Sequence, residues 1–242
     1  MFVRRDTVGL GCLLLVMGSG RCVSDPLAAL PALTAGQTIE GLQDVLPFEA
    51  RYGAGGDRVR ITVDTTSTGA EPTFQFTSAL RRAGEAVEYA DVVALSRRTG
   101  VPLWSRSPSE GGAAEVRLEY RGAVIEGTIE RAGRAAEPVR CALEEGVYSG
   151  VGLGMLLAQL PLTPSYAVKL PLLRRSTCTI AWIPVAVAGR ETLVGVNGQR
   201  FDTWRVDAGP FGTYWTTPAA PYVIRRATAG GIVQELLSWE IR

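Results

Sequence analysis

The chain has 242 residues, 46% of them hydrophobic and 20% charged, a balance that supports one sizeable core and excludes intrinsic disorder. Its 25 basic and 24 acidic residues leave a formal net charge of +1, which excludes a global electrostatic drive toward nucleic acid. It contains no histidine, and this removes Ser-His and Cys-His nucleophile systems, imidazole acid–base chemistry and histidine metal sites together.

In chain order, Arg4 and Arg5 precede an apolar run from Val8 to Met17, followed by Gly18, Ser19 and Gly20. That is the charged, apolar and small-residue order of a secretory signal, so residues 1–21 are expected to direct export and be removed. The run is about ten residues, too short to cross a bilayer core of roughly 30 Å as a helix. Cleavage after Gly20 satisfies the small-x-small rule through Gly18. Cys22 is a lipidation candidate of the bacterial lipoprotein kind, although Arg21 occupies the small position that such signals place before the cysteine. The expected address is the periplasm, with association to a membrane surface if Cys22 carries lipid. Loss of the leader removes three arginines and one aspartate, which takes the net charge from +1 to −1.

Residues 22–40 are rich in Ala, Leu and Pro and read as an N-terminal tether; 41–242 read as one domain. Leu42 to Leu46 has weak helical character. Arg58–Asp64 and Glu115–Arg121 alternate strictly between apolar and polar residues, the mark of half-buried antiparallel strands. Tyr166–Leu170, Thr179–Val187, Thr192–Val196, Phe201–Val206 and Tyr222–Arg226 are further strands. A last one follows with Val233, Leu237, Trp239 and Ile241 on one face. Turn signals at Gly53–Asp57, Arg98–Gly100, Glu110–Gly112 and Asn197–Gly198 separate the runs, and Asn197-Gly198 is the clearest hairpin. One segment reads as a convincing helix, Val151–Leu160, with Ser149 as cap and Pro161 as stop. The expected fold is mainly β: a single, strongly curved antiparallel sheet (half-barrel) of about ten strands, with one main helix packed on its concave side.

Cys141 and Cys178 are the two cysteines of the body, since Cys12 belongs to the leader. In an oxidising compartment the pair is a disulfide candidate; two buried thiols, or a reactive thiol near Arg174 and Arg175, are the alternatives. No spacing suggests zinc, and no cofactor is indicated. Gly150-Val151-Gly152-Leu153-Gly154 looks like part of a dinucleotide loop but lacks the surrounding βαβ unit, so close helix packing explains it better. The carboxylate pairs Glu144/Glu145 and Glu126/Glu130, and Lys169 as the only lysine, fit solvated strand faces better than acid–base machinery. Trp104, Trp182, Trp204 and Trp215, with Leu156 of the helix, are the candidates for lining an apolar site, with core packing as their alternative role. Arg81-Arg82 and Arg225-Arg226 are too short to form a nucleic-acid patch.

The C-terminal third carries Gly189-Arg190-Glu191-Thr192-Leu193, then Val196-Asn197-Gly198-Gln199-Arg200-Phe201-Asp202-Thr203-Trp204-Arg205-Val206, Tyr214-Trp215 and Pro221-Tyr222-Val223-Ile224-Arg225. Upstream stand Thr99-Gly100-Val101-Pro102-Leu103 and the segment Tyr148–Leu162. These, in this order, resemble the bacterial domain-of-unknown-function family 3108, across roughly Gly41–Arg242. The resemblance implies an exported or lipid-anchored protein with a curved half-barrel similar to periplasmic lipoprotein carriers. It brings no catalytic residues. The expected function is non-enzymatic binding of an apolar small molecule or an extended peptide strand in the concavity. The alternatives are a structural, partner-binding envelope protein with a filled cavity, and a histidine-independent hydrolase.

Overall fold

The computed structural model describes residues 27–109, 112–175 and 177–242, so the leader, Cys22 and the tip residues 110–111 lie outside the described residues. The strands are β1 Phe48–Ala54, β2 Asp57–Thr68, β3 Glu71–Arg81, β4 Glu88–Ser96, β5 Pro102–Ser109, β6 Ala114–Arg121, β7 Val124–Arg131 and β8 Glu137–Ala142. After the short helix α1, Leu153–Ala158, follow β9 Ala167–Arg174, β10 Thr179–Val194, β11 Arg200–Asp207, β12 Thr213–Thr216, β13 Val223–Ala227 and β14 Val233–Ile241. All of them join one antiparallel sheet in the order β8-β7-β6-β5-β4-β3-β2-β1-β14-β13-β12-β11-β10-β9.

The order shows two meanders. β1–β8 runs outward in one direction and β14 back to β9 in the other, and the first and last strands pair at the centre. The two edge strands, β8 and β9, are consecutive in the chain, and the segment 143–166 with α1 connects them. Tyr148 forms a parallel bridge to Leu172, its amide donating to the Pro171 carbonyl at 2.8 Å. The stretch read as a tether also reaches the sheet: Leu33 N–H donates to Lys169 O, and Lys169 N–H to Pro31 O, each at 2.9 Å. Ile39, further along that stretch, is buried.

Fourteen strands replace the expected ten or so, and proline explains several that alternation missed. Pro102 opens β5, Pro72 and Pro108 sit next to strand ends, and Pro138 lies on the edge strand β8. Those are the positions where a missing N–H leaves no central ladder bond unmade. The last strand departs from its pattern in another way. Trp239 and Ile241 oppose Ala50 and Phe48, but the register slips so that Leu236, not Leu237, opposes Tyr52. One extra residue in a strand moves every side chain beyond it to the other face. Leu236 is therefore buried, while Leu237 and Val233 are exposed.

The helix is shorter than its apolar pattern. It starts at Leu153, and its N-cap is Gly152 in a left-handed conformation (φ 84°) without a side-chain cap. Ser149 instead accepts from the Val151 amide in the preceding turn, at 3.1 Å. The weak helix near Leu42 is a single 3-10 turn, Glu40–Asp44. Leu153, Met155, Leu156, Leu157 and Ala158 are all buried. A Cβ on Gly154 would lie 2.7 Å from Val223 Cγ2, and one on Gly152 would lie 3.1 Å from Leu95 Cδ1. The glycines thus let this segment approach β13 and β4 together, two strands far apart in the sheet order.

Candidate functional site

Three cross-strand rows and the start of α1 build a cavity of about 340 Å³. Ladder pairing aligns Tyr52, Val59 and Leu80 in one row and Ile61, Ser78 and Asp91 in the next. Facing them from the other meander, Tyr214, Arg226 and Gln234 form a third row. Phe48, Phe76, Met155, Val223 and the turn Gly150–Gly154 complete the lining. Gln234 reaches the cavity because of the slip in β14. Without it, the alternation that places Trp239 inward would point Gln234 outward.

Three tyrosines fix the wall. Tyr52 donates to the Val223 carbonyl at 2.8 Å, tying β1 to β13 across β14. Tyr222 accepts from the Leu46 amide at 3.1 Å and meets Phe48 edge-on with ring centroids 5.2 Å apart. Its backbone is left-handed (φ 65°), a conformation a bulky residue keeps only when its surroundings over-determine it. Burial pushes the phenol of Tyr52 well above its ordinary value. For Tyr214, burial also raises it, against the opposing charge of Arg226. Both hydroxyls are neutral at physiological pH, so the wall offers hydrogen bonds and no phenolate base.

None of Trp104, Trp182, Trp204, Trp215 and Leu156 lines this cavity, which corrects the sequence expectation. The indoles are half-buried and take polar partners. Arg190 stacks on Trp204 at 4.2 Å, Lys169 on Trp182 at 5.3 Å and Arg225 on Trp215 at 5.5 Å. Trp215 Nε1 donates to Glu191 at 2.7 Å. Trp104 borders an open groove on β5–β7 beside Arg106, Arg117 and Glu126. A tryptophan brings an N–H that needs an acceptor and a π face that attracts cations, and both draw it toward half-wet positions. Leu156 is buried in the core, against the turn at Gly100.

Sequence reasoning missed the lining tyrosines and Arg226. Tyr214 and Tyr222 belong to the family-like motifs of the C-terminal third. For Arg226 the available signal was that adjacent residues of a strand face opposite sides, so one of Arg225 and Arg226 has to point inward.

Cys141 on β8 and Cys178 before β10 form a disulfide with Cα atoms 5.3 Å apart. It joins an edge strand to the hairpin that carries the opposite edge strand. Glu126 and Glu130 sit on β7 beside Arg140 and Arg117, at 3.5 and 3.6 Å. Among the described residues no three Cys, Asp or Glu side chains converge as a metal-ligand group, and no helix is long and apolar enough to cross a membrane.

The family model described as "Protein of unknown function (DUF3108)" matches residues 48–237. The chain belongs to the DUF3108 family. The match runs from the start of β1 into β14, so it takes in both meanders and every row of the cavity. No curated protein matches this DUF3108 chain. Among solved structures it is similar to a "Beta-barrel-like Protein of Domain of Unknown Function DUF1849" from Brucella abortus, at 11% identity and a TM-score of 0.40. That similarity covers 82% of this chain and 98% of the other.

Proposed function

We propose that this DUF3108 protein is a non-enzymatic protein of the bacterial envelope, and that its sheet is a curved half-barrel binding an apolar ligand on its concave side, where α1 packs. The observation that carries the reading is the cavity of about 340 Å³ with Phe48, Val59, Ile61, Leu80 and Met155 in its wall. Its size lies at the lower end of the ~300–1,000 Å³ usual for small-molecule sites. Curvature is supported by the approach of the 150–154 segment to both Leu95 and Val223, and by the covalent link between the edge regions. Export rests on the leader sequence, and a disulfide suits an oxidising compartment.

A small molecule is a better occupant than an added peptide strand. Lys169 and Pro171 on β9 already bond residues 31–33 and Tyr148, and β8 carries Pro138 and the disulfide. The sheet edges are thus poor templates for a further strand.

The test uses the uncharged fluorescent probe N-phenyl-1-naphthylamine. Micromolar wild-type protein should enhance its emission saturably, and Ile61→Trp, which fills the cavity from β2, should abolish the enhancement while the far-UV dichroism stays unchanged. Absence of enhancement with the wild type, or an equal response from the filled variant, would refute the binding role. Full-length chain recovered in the cytoplasm after cell fractionation would refute the envelope location.

A further inference from the structure

We infer that the cavity takes a single alkyl chain ending in a carboxylate, with Arg226 as the partner of its head group; the inference rests on the apolar-cavity reading and names the ligand class.

Arg225 and Arg226 lie side by side on β13 and face opposite sides of the sheet. Arg225 is paired: its Nη2 donates to Glu235 at 2.7 Å, and its guanidinium stands over Trp215. Arg226 lines the cavity and has no carboxylate within 4.0 Å among the described residues. Its cross-strand neighbours are Tyr214 and Gln234, neither of which carries a negative charge at neutral pH. Among the described residues its one protein acceptor is the Phe211 carbonyl, at a long 3.4 Å from Nη2. The guanidinium stands 5.1 Å from the Tyr214 ring centroid, and its Nε, like that of Arg225, is buried without a hydrogen-bond partner among the described residues.

The buried Nε of this guanidinium is the donor that water reaches least, and a charged acceptor in the cavity would complete it. A carboxylate matches the planar fork with two parallel bonds. Among the described lining residues Asp91, on β4, is the only acidic one and Arg226 the only basic one. The Asp91 carboxylate disfavours an anion on the β4 side, which leaves Arg226 as the partner for a negative head group. Apart from Ser78, Gln234 and the tyrosine hydroxyls, the rest of the wall is apolar and suits a hydrocarbon tail. A cavity of about 340 Å³, at the lower end of the ~300–1,000 Å³ usual for small-molecule sites, suits one alkyl chain of medium length.

Titration calorimetry of the full mature chain with decanoate and with decanol decides the matter. The two probes share their tail and differ in charge. Decanoate should bind the wild type at least about tenfold more tightly, the ratio expected when hydrogen bonds to a charged group are gained. Arg226→Met should remove the preference, so that decanoate and decanol bind it equally, and Arg226→Lys should keep part of the preference. Equal affinities of the wild type for the two probes would overturn the inference and leave the apolar cavity standing. A preference that survives in Arg226→Met would overturn it too. If neither decanoate, decanol nor the uncharged naphthylamine binds, the cavity reading itself has failed. The wild-type comparison stands whether or not the Met variant folds.

Discussion

Along β1–β4 and β11–β14 the inward residues run into one large core, with Phe48, Val63, Phe74, Val93 and Val206 at or near complete burial. On β6–β8 the buried residues are only Ala114, Leu118, Ile125 and Cys141, the last three clustering with Val147 beyond β8. Both regions alternate, so the pattern alone does not tell them apart. The flank replaces apolar burial with ion pairs on its open face. Arg106 and Arg117 hold Glu115 at 2.5 and 2.7 Å, and Glu119 pairs with Arg121 at 2.8 Å. Exposed pairs of this kind contribute little each. The flank is instead anchored by the disulfide from Cys141 to Cys178, and by Leu173 and Ile180 packing on its small core. Alternation thus reports that a strand has two faces, whereas its stability depends on how much neighbouring surface the fold brings to the inner one.

The sharpest test of that division is Phe74→Ala in the large core. Phe74 is fully buried, and its loss should cost about 3–5 kcal/mol, read as a lowered denaturation midpoint with the transition still cooperative. Next comes the flank's anchor. Replacing both Cys141 and Cys178 by Ser opens a crosslink that spans 37 residues, which in the chain-entropy model is worth about 3–4 kcal/mol. Hydrogen exchange should then accelerate first in β6–β8, with β1–β3 still protected. Equal acceleration in both regions would erase the distinction drawn between them.

The smallest effect belongs to the ion pairs. Glu115→Gln should change stability by less than about 1 kcal/mol, and the difference should vanish in high salt. Its pH dependence has a defined sign. Burial pushes the Glu115 carboxyl up, but hydrogen bonds from Arg117 and Arg106 outweigh it and hold the group below its ordinary value. A carboxyl lowered on folding contributes fully above the ordinary carboxylate range and loses its contribution as pH falls through the lowered value. The wild type should therefore lose its small advantage over the Gln variant on acidification. A loss at alkaline pH would contradict the assignment.

Much of the sheet was legible residue by residue. Arg58–Asp64 and Glu115–Arg121 lie within β2 and β6, and Asn197-Gly198 turns between β10 and β11. Local chemistry sufficed there: side-chain alternation and residues that tolerate positive φ, such as Gly198 at 80°. The site was less legible. Tryptophan drew attention by size, but its N–H and π face hold it among Glu191, Arg190 and Arg225. The cavity took tyrosines whose hydroxyls tie strands together, and an arginine distinguished from its neighbour only by which face it occupies.

By itself the sequence determined that this chain supplies no imidazole, that most of its strands have two faces, and where many of its hairpins turn. Those properties are set by single residues and their nearest neighbours. Only the tertiary structure decided that β1 meets β14, that the edge regions are joined through Cys141 and Cys178, and that one extra residue in β14 turns Gln234 and Leu236 inward. Each of these depends on contacts between residues far apart in the chain, where the burial gained by the whole sheet outweighs the preference of any one segment.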